Sequence, residues 1–249
     1  MTELLYLFDC YLKEFDAKIV KVIENEKDDG NKDFLVVLDK TAFYPRGGGQ
    51  PNDKGRLVIN DKTINVIDVF KREGEVFHKV SGDPLVLKEL KEGMIVHGVI
   101  DWERRYYFMK CHTAAHILSA VIHKETNALI TGNNIDEEKV RIDFNLESFD
   151  REAFKRYEEE TNKIISEGHE VKLSILPREE AFKIPELIRL KKMLPESIQN
   201  VRVVEIEGVD VQACGGTHVK NTREIGGIQI IKLENKGKNN RRCYFKIKD

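Results

Sequence analysis

Over the first 100 residues, short runs rich in valine and isoleucine alternate hydrophobic with polar positions. A period of two is typical of β-strands that bury one face. Glycine, asparagine and proline interrupt the runs at short intervals, as tight turns require. The pattern predicts six strands, at 17–24, 33–39, 55–59, 64–70, 75–80 and 94–100. Many short strands with frequent turns favour a small β-barrel or a sandwich.

The pattern changes at Asp101, a suitable N-cap for the segment 102–124, which lacks glycine and proline and predicts one long helix. A second helix is predicted over 150–167, ended by Gly168. Strands are predicted at 139–146, 170–176, 201–207, 227–233 and 243–247, with a loop over 234–242. Helices and strands without regular alternation favour the α+β class. We therefore predict a β-barrel domain over 1–100 and an α+β domain over 101–249.

Two short motifs have the spacing of metal ligands. His112 and His116 are four residues apart on the predicted helix, which puts both imidazoles on one face. Cys214 and His218 enclose two glycines, which let the backbone bend around a ligand. Three imidazoles and one thiolate suit zinc better than magnesium or calcium. The sequence therefore predicts one zinc ion per chain, held by His112, His116, Cys214 and His218.

The kind of zinc site stays open at this point. Zinc peptidases with a helical histidine pair carry glutamate directly after the first histidine, and Thr113 occupies that position here. A structural site uses four protein ligands, whereas a catalytic site leaves one position for water or substrate. His218 is accordingly either the fourth ligand or an outer residue. No side chain stands out as general base, and Gln50 and Asp143 are the candidate helpers.

A glycine-rich segment lies within the predicted barrel. Gly47, Gly48 and Gly49 follow Phe43 and Tyr44 and are bracketed by prolines. Successive glycines let a backbone approach a ligand closely and offer its N–H groups as donors. It is not a P-loop, because no Gly-Lys-Ser/Thr follows. The segment is either a flexible hairpin loop or a ligand-binding wall, and the aromatic and proline neighbours favour the wall.

Charge and composition narrow the class of protein. The net charge is −2, from 41 lysines and arginines against 43 acids, which disfavours a polybasic protein but allows a local basic strip for RNA. The four cysteines are scattered, as in a reducing compartment. No apolar run reaches the ~20 residues that span a bilayer, and the first residues lack a secretory signal. We expect a cytoplasmic protein without membrane contact, and no protein partner is predicted.

Four segments in this order resemble the editing domain of alanyl-tRNA synthetase, and more closely the free-standing, medium-length alanyl-tRNA editing proteins. They are FYPRGGGQPND at 43–53, HTAAH at 112–116, KVRIDF at 139–144 and CGGTH at 214–218. The resemblance implies an N-terminal β-barrel followed by an α+β editing domain of the type shared with threonyl-tRNA synthetase. It also implies a hydrolase that removes serine or glycine from mischarged tRNA(Ala), with the four metal candidates as ligands and the glycine segment as part of the amino-acid pocket.

Editing of this kind needs a pocket that accepts serine and rejects alanine. A hydroxyl-binding pocket does so, because alanine leaves its buried donors unpaired. Thr131, Asn133 and the glycine segment are the candidates for this pocket. The zinc ion would either activate a water or orient the substrate. A run of basic residues at 236–242 is either a solvated loop or a binding site for the tRNA phosphates. The candidates for the phosphate contacts are Lys236, Lys238, Arg241 and Arg242.

Two other functions are compatible with the same residues. One is a zinc-stabilised tRNA-binding module without catalysis, which would have a closed four-ligand site. The other is a zinc-dependent hydrolase of a small-molecule ester or amide.

Overall fold

The computed structural model describes residues 1–26, 32–147, 150–192, 195 and 197–248. The chain divides into two compact units, Met1–Tyr107 and Phe108–Asp249. The division falls within the helix Trp102–Thr126, somewhat beyond residue 100 where the hydrophobic pattern changes. Both helices and antiparallel sheets are present, so the α+β class is confirmed. In the described part of the chain, no helix has the length and apolar character needed to cross a membrane.

The first unit is built on a closed barrel of six antiparallel strands. Its elements are β1 (Glu3–Leu4), a 3-10 turn (Leu5–Leu7), β2 (Glu14–Glu26), β3 (Lys32–Leu38), β4 (Lys40–Thr41), β5 (Gly55–Ile59), β6 (Lys62–Arg72), β7 (Glu75–Ser81), α1 (Pro84–Glu89), β8 (Ile95–Ile100) and the beginning of α2 (Trp102–Thr126). The barrel strands follow one another in the order β2-β3-β7-β6-β5-β8. Each of the six strands predicted from the alternating pattern is a barrel strand, so the barrel is confirmed. The short pair β1 and β4 and the helix α1 were not predicted.

The barrel interior is filled by alternate residues of its strands. In β6, Ile64 and Val66 are buried, and a register shift after Val66 changes the alternation so that Val69 is the next buried residue. A Cβ at Gly98 would lie 2.5 Å from the ring of Phe15, so glycine at this position leaves room for that ring. The barrel is therefore a packed core.

A fully buried ion pair joins the beginning of α2 to two loops of the same unit. Arg105 donates from Nε to both carboxylate oxygens of Asp53 at 2.9 Å. Its Nη1 donates to the carbonyl oxygen of Cys10, and its Nη2 donates to that of Ala42. Asp53 also accepts the backbone N–H of Tyr44 at 2.6 Å. A buried pair of charges is tolerated only when further hydrogen bonds satisfy it, as they do here. The pair thus fixes both ends of the glycine segment.

The second unit contains two antiparallel sheets, one of four strands (β14-β15-β10-β9) and one of three (β11-β12-β13). The helix α3 begins at its N-cap Asp150 and ends at Gly168, which is left-handed with φ 85°, as predicted. The elements are the rest of α2, β9 (Ile130–Ile135), β10 (Val140–Phe144), α3 (Arg151–Glu167), β11 (Val171–Pro177), α4 (Arg178–Ala181), β12 (Asn200–Ile206), β13 (Asp210–Ala213), β14 (Ile228–Asn235) and β15 (Arg241–Ile247), with 3-10 turns at Pro185–Lys192 and Thr222–Ile225.

Two predictions for the second unit were incomplete. Strands β9 and β13 were missed, because their polar, short sequences lack an alternating hydrophobic pattern. The loop predicted over 234–242 is shorter, because β14 continues through Asn235 and β15 resumes at Arg241. Arg241 and Arg242 consequently belong to a strand, where neighbouring side chains point to opposite faces.

A buried histidine makes the first unit sensitive to acid. His78 in β7 is fully buried; its Nδ1 donates to the carbonyl of Val36 at 3.0 Å, and Thr41 donates to its Nε2 at 2.8 Å. Burial lowers the pKa of His78 to about 4, although the hydrogen bond to Val36 opposes the shift. The unfolded chain therefore takes up this proton more readily, and the stability from the neutral imidazole is present above pH ~6.5 and is lost as pH falls toward 4.

We predict that wild type loses roughly 2 kcal/mol more free energy of unfolding than the His78→Gln variant between pH 7 and pH 5. The variant lacks the titrating imidazole and serves as the reference for all other groups that change protonation. Urea unfolding at both pH values measures the difference. Equal losses in the two proteins would contradict the assignment of a neutral, buried His78.

Candidate metal centre

The structure brings together the four residues predicted as zinc ligands. His112 and His116 lie one turn apart on α2, and Cys214 and His218 follow β13. Their donor atoms all lie within 4.8 Å of one another, and Cys214 Sγ is 3.6 Å from His112 Nε2 and 3.3 Å from His218 Nε2. Tetrahedral zinc, with Zn–S of ~2.3 Å and Zn–N of ~2.0–2.1 Å, would separate sulfur and nitrogen by about 3.6 Å. The donor set and its spacing therefore fit zinc.

A buried arginine shapes the loop that carries Cys214. Arg202 in β12 donates from Nη1 to the carbonyl oxygens of Cys214 at 2.6 Å and Gly216 at 2.8 Å. The N–H of Gly216 points back at Cys214 Sγ, 3.4 Å away. Backbone donors of this kind stabilise a thiolate. Arg202 was not singled out from the sequence, because its role depends on a contact across two strands.

The His116 ring is oriented by a carboxylate. Asp210 Oδ2 accepts from Nδ1 of His116 at 2.9 Å, and its Oδ1 accepts from Gln212 Nε2 at 3.1 Å. With the proton held on Nδ1, the lone pair of Nε2 faces the other donors. Metal-binding histidines commonly have this carboxylate partner, which fixes the tautomer and makes the ring a better ligand. Asp210 is thus a site residue that sequence reasoning missed.

Thr113 orients His218 in the same way. Its hydroxyl donates to the carbonyl of Met109 at 3.0 Å, which uses the one proton that it has. The hydroxyl must therefore accept from the Nδ1 of His218, at 3.1 Å, and from the backbone N–H of Val219, at 3.3 Å. Nδ1 then carries the hydrogen, and the Nε2 lone pair points toward Cys214. This tautomer favours His218 as a direct ligand over an outer role.

The charges in the cluster match a divalent cation. Burial opposes ionisation of Cys214, but His112 and His218 lower its pKa well below the usual value, which gives a thiolate. Burial, followed by His112, lowers the pKa of His218 to about 3, so that its ring is neutral. Burial also disfavours a charge on His116, yet Asp210 and Cys214 raise its pKa to about 10. The Cys214 thiolate and the Asp210 carboxylate thus favour positive charge within the cluster. Their two negative charges together balance those of a divalent cation.

The glycine segment forms an ordered turn. Gly47 and Gln50 exchange backbone hydrogen bonds of 2.9 and 3.1 Å, and Gly48 and Gly49 between them have φ of 59° and 85°. This is a two-residue hairpin of the type that requires positive φ at both central positions. Tyr44 donates its hydroxyl to the carbonyl of Gly47 at 2.9 Å. The N–H of Gly47 is used within the turn, which leaves those of Gly48 and Gly49 as the candidate donors. Gln50, a predicted helper, is buried at the base of the turn.

The remaining predicted pocket residues lie on β9 and β10. Thr131 is exposed at a register shift between these strands, and Asn133 is half-buried opposite Ile142. Asp143, the other predicted helper, accepts from Arg242 Nε at 2.6 Å and Nη2 at 2.9 Å. Asp143 is thus held in a bidentate ion pair with Arg242, and the helper role predicted for it stays a prediction.

The four residues predicted to bind phosphates have different surroundings. Arg241 is buried, and its guanidinium donates to the carbonyl oxygens of Gly237 and Glu147. Its guanidinium therefore supports the hairpin loop, and the phosphate-binding role predicted for it stays a prediction. Lys236 forms an ion pair of 2.9 Å with Glu234, and Lys238 is exposed at the tip of the hairpin. Arg242, half-buried, is the partner of Asp143.

Comparison with known proteins agrees with this arrangement. The family described as "tRNA synthetases class II (A)" matches residues 5–104, and that described as "Threonyl and Alanyl tRNA synthetase second additional domain" matches residues 201–244. "Alanyl-tRNA editing protein AlaX-M" of Methanosarcina acetivorans is 49% identical over 253 residues, and that of Saccharolobus solfataricus is 45% identical over 251 residues. Both alignments cover 100% of each chain.

The similarity extends to a larger enzyme. The alanine–tRNA ligase of Methanococcus maripaludis is 40% identical over 237 residues, which are 94% of this chain but 24% of the ligase. The chain thus corresponds to one part of the ligase and to the whole of the free-standing proteins. Because the identity to the latter is high and extends over their full length, the chain belongs to the alanyl-tRNA editing protein family, in its AlaX-M form.

Proposed function

We propose that this protein is a zinc-dependent hydrolase that deacylates tRNA(Ala) mischarged with serine, and also with glycine. The relatives that match over their full length are named as alanyl-tRNA editing proteins, which supports tRNA(Ala) as the substrate. The observation that carries the zinc-dependent mechanism is the buried cluster of three imidazoles and one thiolate with their donor atoms within 4.8 Å. An editing reaction has a clear chemical purpose, because one hydroxyl or methyl group gives a synthetase only ~1–3 kcal/mol of discrimination.

His112, His116, Cys214 and His218 are the residues that would hold the ion. The chemistry that zinc supplies when bound is that of a Lewis acid, which polarises a substrate group or lowers the pKa of a water. Asp210 and Thr113 keep the protons of His116 and His218 on Nδ1, away from the other donors. These two residues therefore preserve the ligand form of the cluster through every turnover.

Amino-acid selectivity is assigned to polar groups that can bind the serine hydroxyl. Thr131 and Asn133 lie on β9, an edge strand of the four-stranded sheet in the second unit. A pocket that pairs the serine hydroxyl leaves its own donors unpaired when alanine is bound. For the serine substrate, alanine is disfavoured for this reason by about 10²-fold or more.

The direct test is incubation of the protein with Ser-tRNA(Ala) and with Ala-tRNA(Ala), followed by measurement of the remaining ester. We expect wild type to deacylate Ser-tRNA(Ala) at least ~10²-fold faster than Ala-tRNA(Ala). Cys214→Ala removes the one thiolate of the cluster and should lose activity while remaining folded. Cys10→Ala, a buried cysteine outside the cluster, is the matched control and should retain activity.

Different outcomes separate the alternatives. Intact Ser-tRNA(Ala) after incubation with wild type would overturn the proposed hydrolysis, and tRNA binding without turnover would favour a binding module. Cleavage of a simple aminoacyl ester at the same rate as the tRNA ester would favour a small-molecule hydrolase. Full activity in folded Cys214→Ala protein would refute the zinc-dependent mechanism.

A second prediction concerns the effect of Asp210 on the affinity of the protein for zinc. Asp210→Ala removes the acceptor that orients His116, and losses of this kind weaken zinc binding by about 10- to 100-fold. Competition with a chromophoric chelator measures the affinity. Glu205→Gln, an exposed carboxylate on the adjacent strand β12, is the control and should bind zinc like wild type. Wild-type affinity in Asp210→Ala would contradict the role given to this carboxylate.

A further inference from the structure

The four-stranded sheet of the second unit has one apolar and one charged face. Along β15, Cys243 and Phe245 are buried, while Arg242, Tyr244 and Lys246 alternate with them on the opposite side. We call this opposite side the outer face. Its charged residues are Arg141, Asp143, Lys232, Glu234, Arg242 and Lys246.

The strand register arranges these residues in adjacent rows. Arg141 in β10 pairs with Tyr244 in β15, which pairs with Lys232 in β14. The ammonium group of Lys232 lies 5.7 Å from the centre of the Tyr244 ring. In the next row, Asp143 is opposite Arg242, which is opposite Glu234. Each of these two rows across β10, β15 and β14 thus contains at least one cation.

Both carboxylates of the outer face are already neutralised. Asp143 accepts two hydrogen bonds from Arg242. Glu234 is bound by Lys232 at 2.5 Å and by Lys236 at 2.9 Å, and these two lysines lower its pKa to about 2. The cations therefore outnumber the carboxylates here, in a chain that has 41 basic and 43 acidic side chains overall. The positive excess is local to this face.

Arg141 is a partly exposed cation of the outer face, with 34% of its side chain exposed. Its buried Nε lies 3.9 Å from Asp143 Oδ2, an oxygen that Arg242 already binds. The exposed part of the Arg141 side chain therefore faces solvent as a positive charge that no carboxylate of this face fully pairs. Guanidinium groups bind phosphate through several N–H donors at once, whereas exposed lysines add point charges.

We propose that the outer face binds the phosphate backbone of the tRNA substrate, through Arg141, Lys232 and Lys246. The inference rests on the proposed function, since it names the surface that receives the RNA of that reaction. Phosphate contacts fix the register of a protein on RNA without reading its bases. The surface thus supplies affinity and orientation, while the amino-acid pocket supplies selectivity.

The test is the salt dependence of binding to uncharged tRNA(Ala). The triple variant Arg141→Gln, Lys232→Gln, Lys246→Gln removes three cations from the outer face. Each phosphate contact contributes about 0.7–0.9 to the slope of log Kd against log salt, so the slope should fall by about 2 to 3. A matched control, Lys155→Gln, Lys172→Gln, Lys183→Gln, removes three cations that lie in exposed ion pairs elsewhere in this unit and should leave the slope unchanged.

Deacylation of Ser-tRNA(Ala) provides the second readout. The outer-face variant should raise KM at least about tenfold with kcat unchanged, because the reacting groups are untouched. If the salt slope and the KM of the triple variant equal those of wild type, the outer face does not bind the tRNA. An acidic protein that used this face would give that result. Should the triple variant fail to fold, Lys232→Gln and Lys246→Gln are measured singly, each with an expected slope change of about 1. If wild type does not deacylate Ser-tRNA(Ala), the proposed function is wrong. The salt dependence of tRNA binding would still test whether the outer face binds RNA.

Discussion

Four donor atoms with converging lone pairs, three on buried histidines and one on the half-buried Cys214, are the constraint on which the second unit depends. The sulfur of Cys214 and the ring nitrogens of His112, His116 and His218 lie within 4.8 Å of one another. Electron-rich groups at this distance in a buried site need positive charge between them. Without a metal, His116 takes a proton to provide it. A divalent cation would satisfy all four donors at once, so the electrostatics of the cluster fit a metal ion as its residue types do.

The residues around the cluster show how the chain keeps it in place. Asp210 and Thr113 each hold a histidine proton, and Arg202 holds the loop of Cys214 by its carbonyl groups. In the first unit, Arg105 and Asp53 do the same for the glycine segment. A site built on rigid elements and fully paired polar groups needs little rearrangement when a ligand binds. Asp143 and Arg241 likewise form hydrogen bonds that support the sheet and its hairpin.

Much of this could be predicted from the sequence, because the signals are local. Alternation with a period of two located the barrel strands, and the spacing of His112 and His116 put them on one helical face. Strand β9 carries no such signal, since ITGNNI has few apolar positions. The sequence predicts the same phosphate-binding role for Arg241 and Arg242. In the strand, however, the side chain of Arg241 is buried and that of Arg242 lies on the opposite face. Asp210 is 94 positions from His116 in sequence, so that only the folded chain reveals their contact.

Zinc K-edge X-ray absorption of the purified protein shows whether these four residues bind zinc. We expect one zinc per chain, with one sulfur at about 2.3 Å and three imidazole nitrogens at about 2.0–2.1 Å. Cys214→Ala should remove the sulfur contribution. A first shell made only of oxygen and nitrogen in wild type, or protein purified without stoichiometric zinc that cannot take it up, would show that the cluster is not a zinc site.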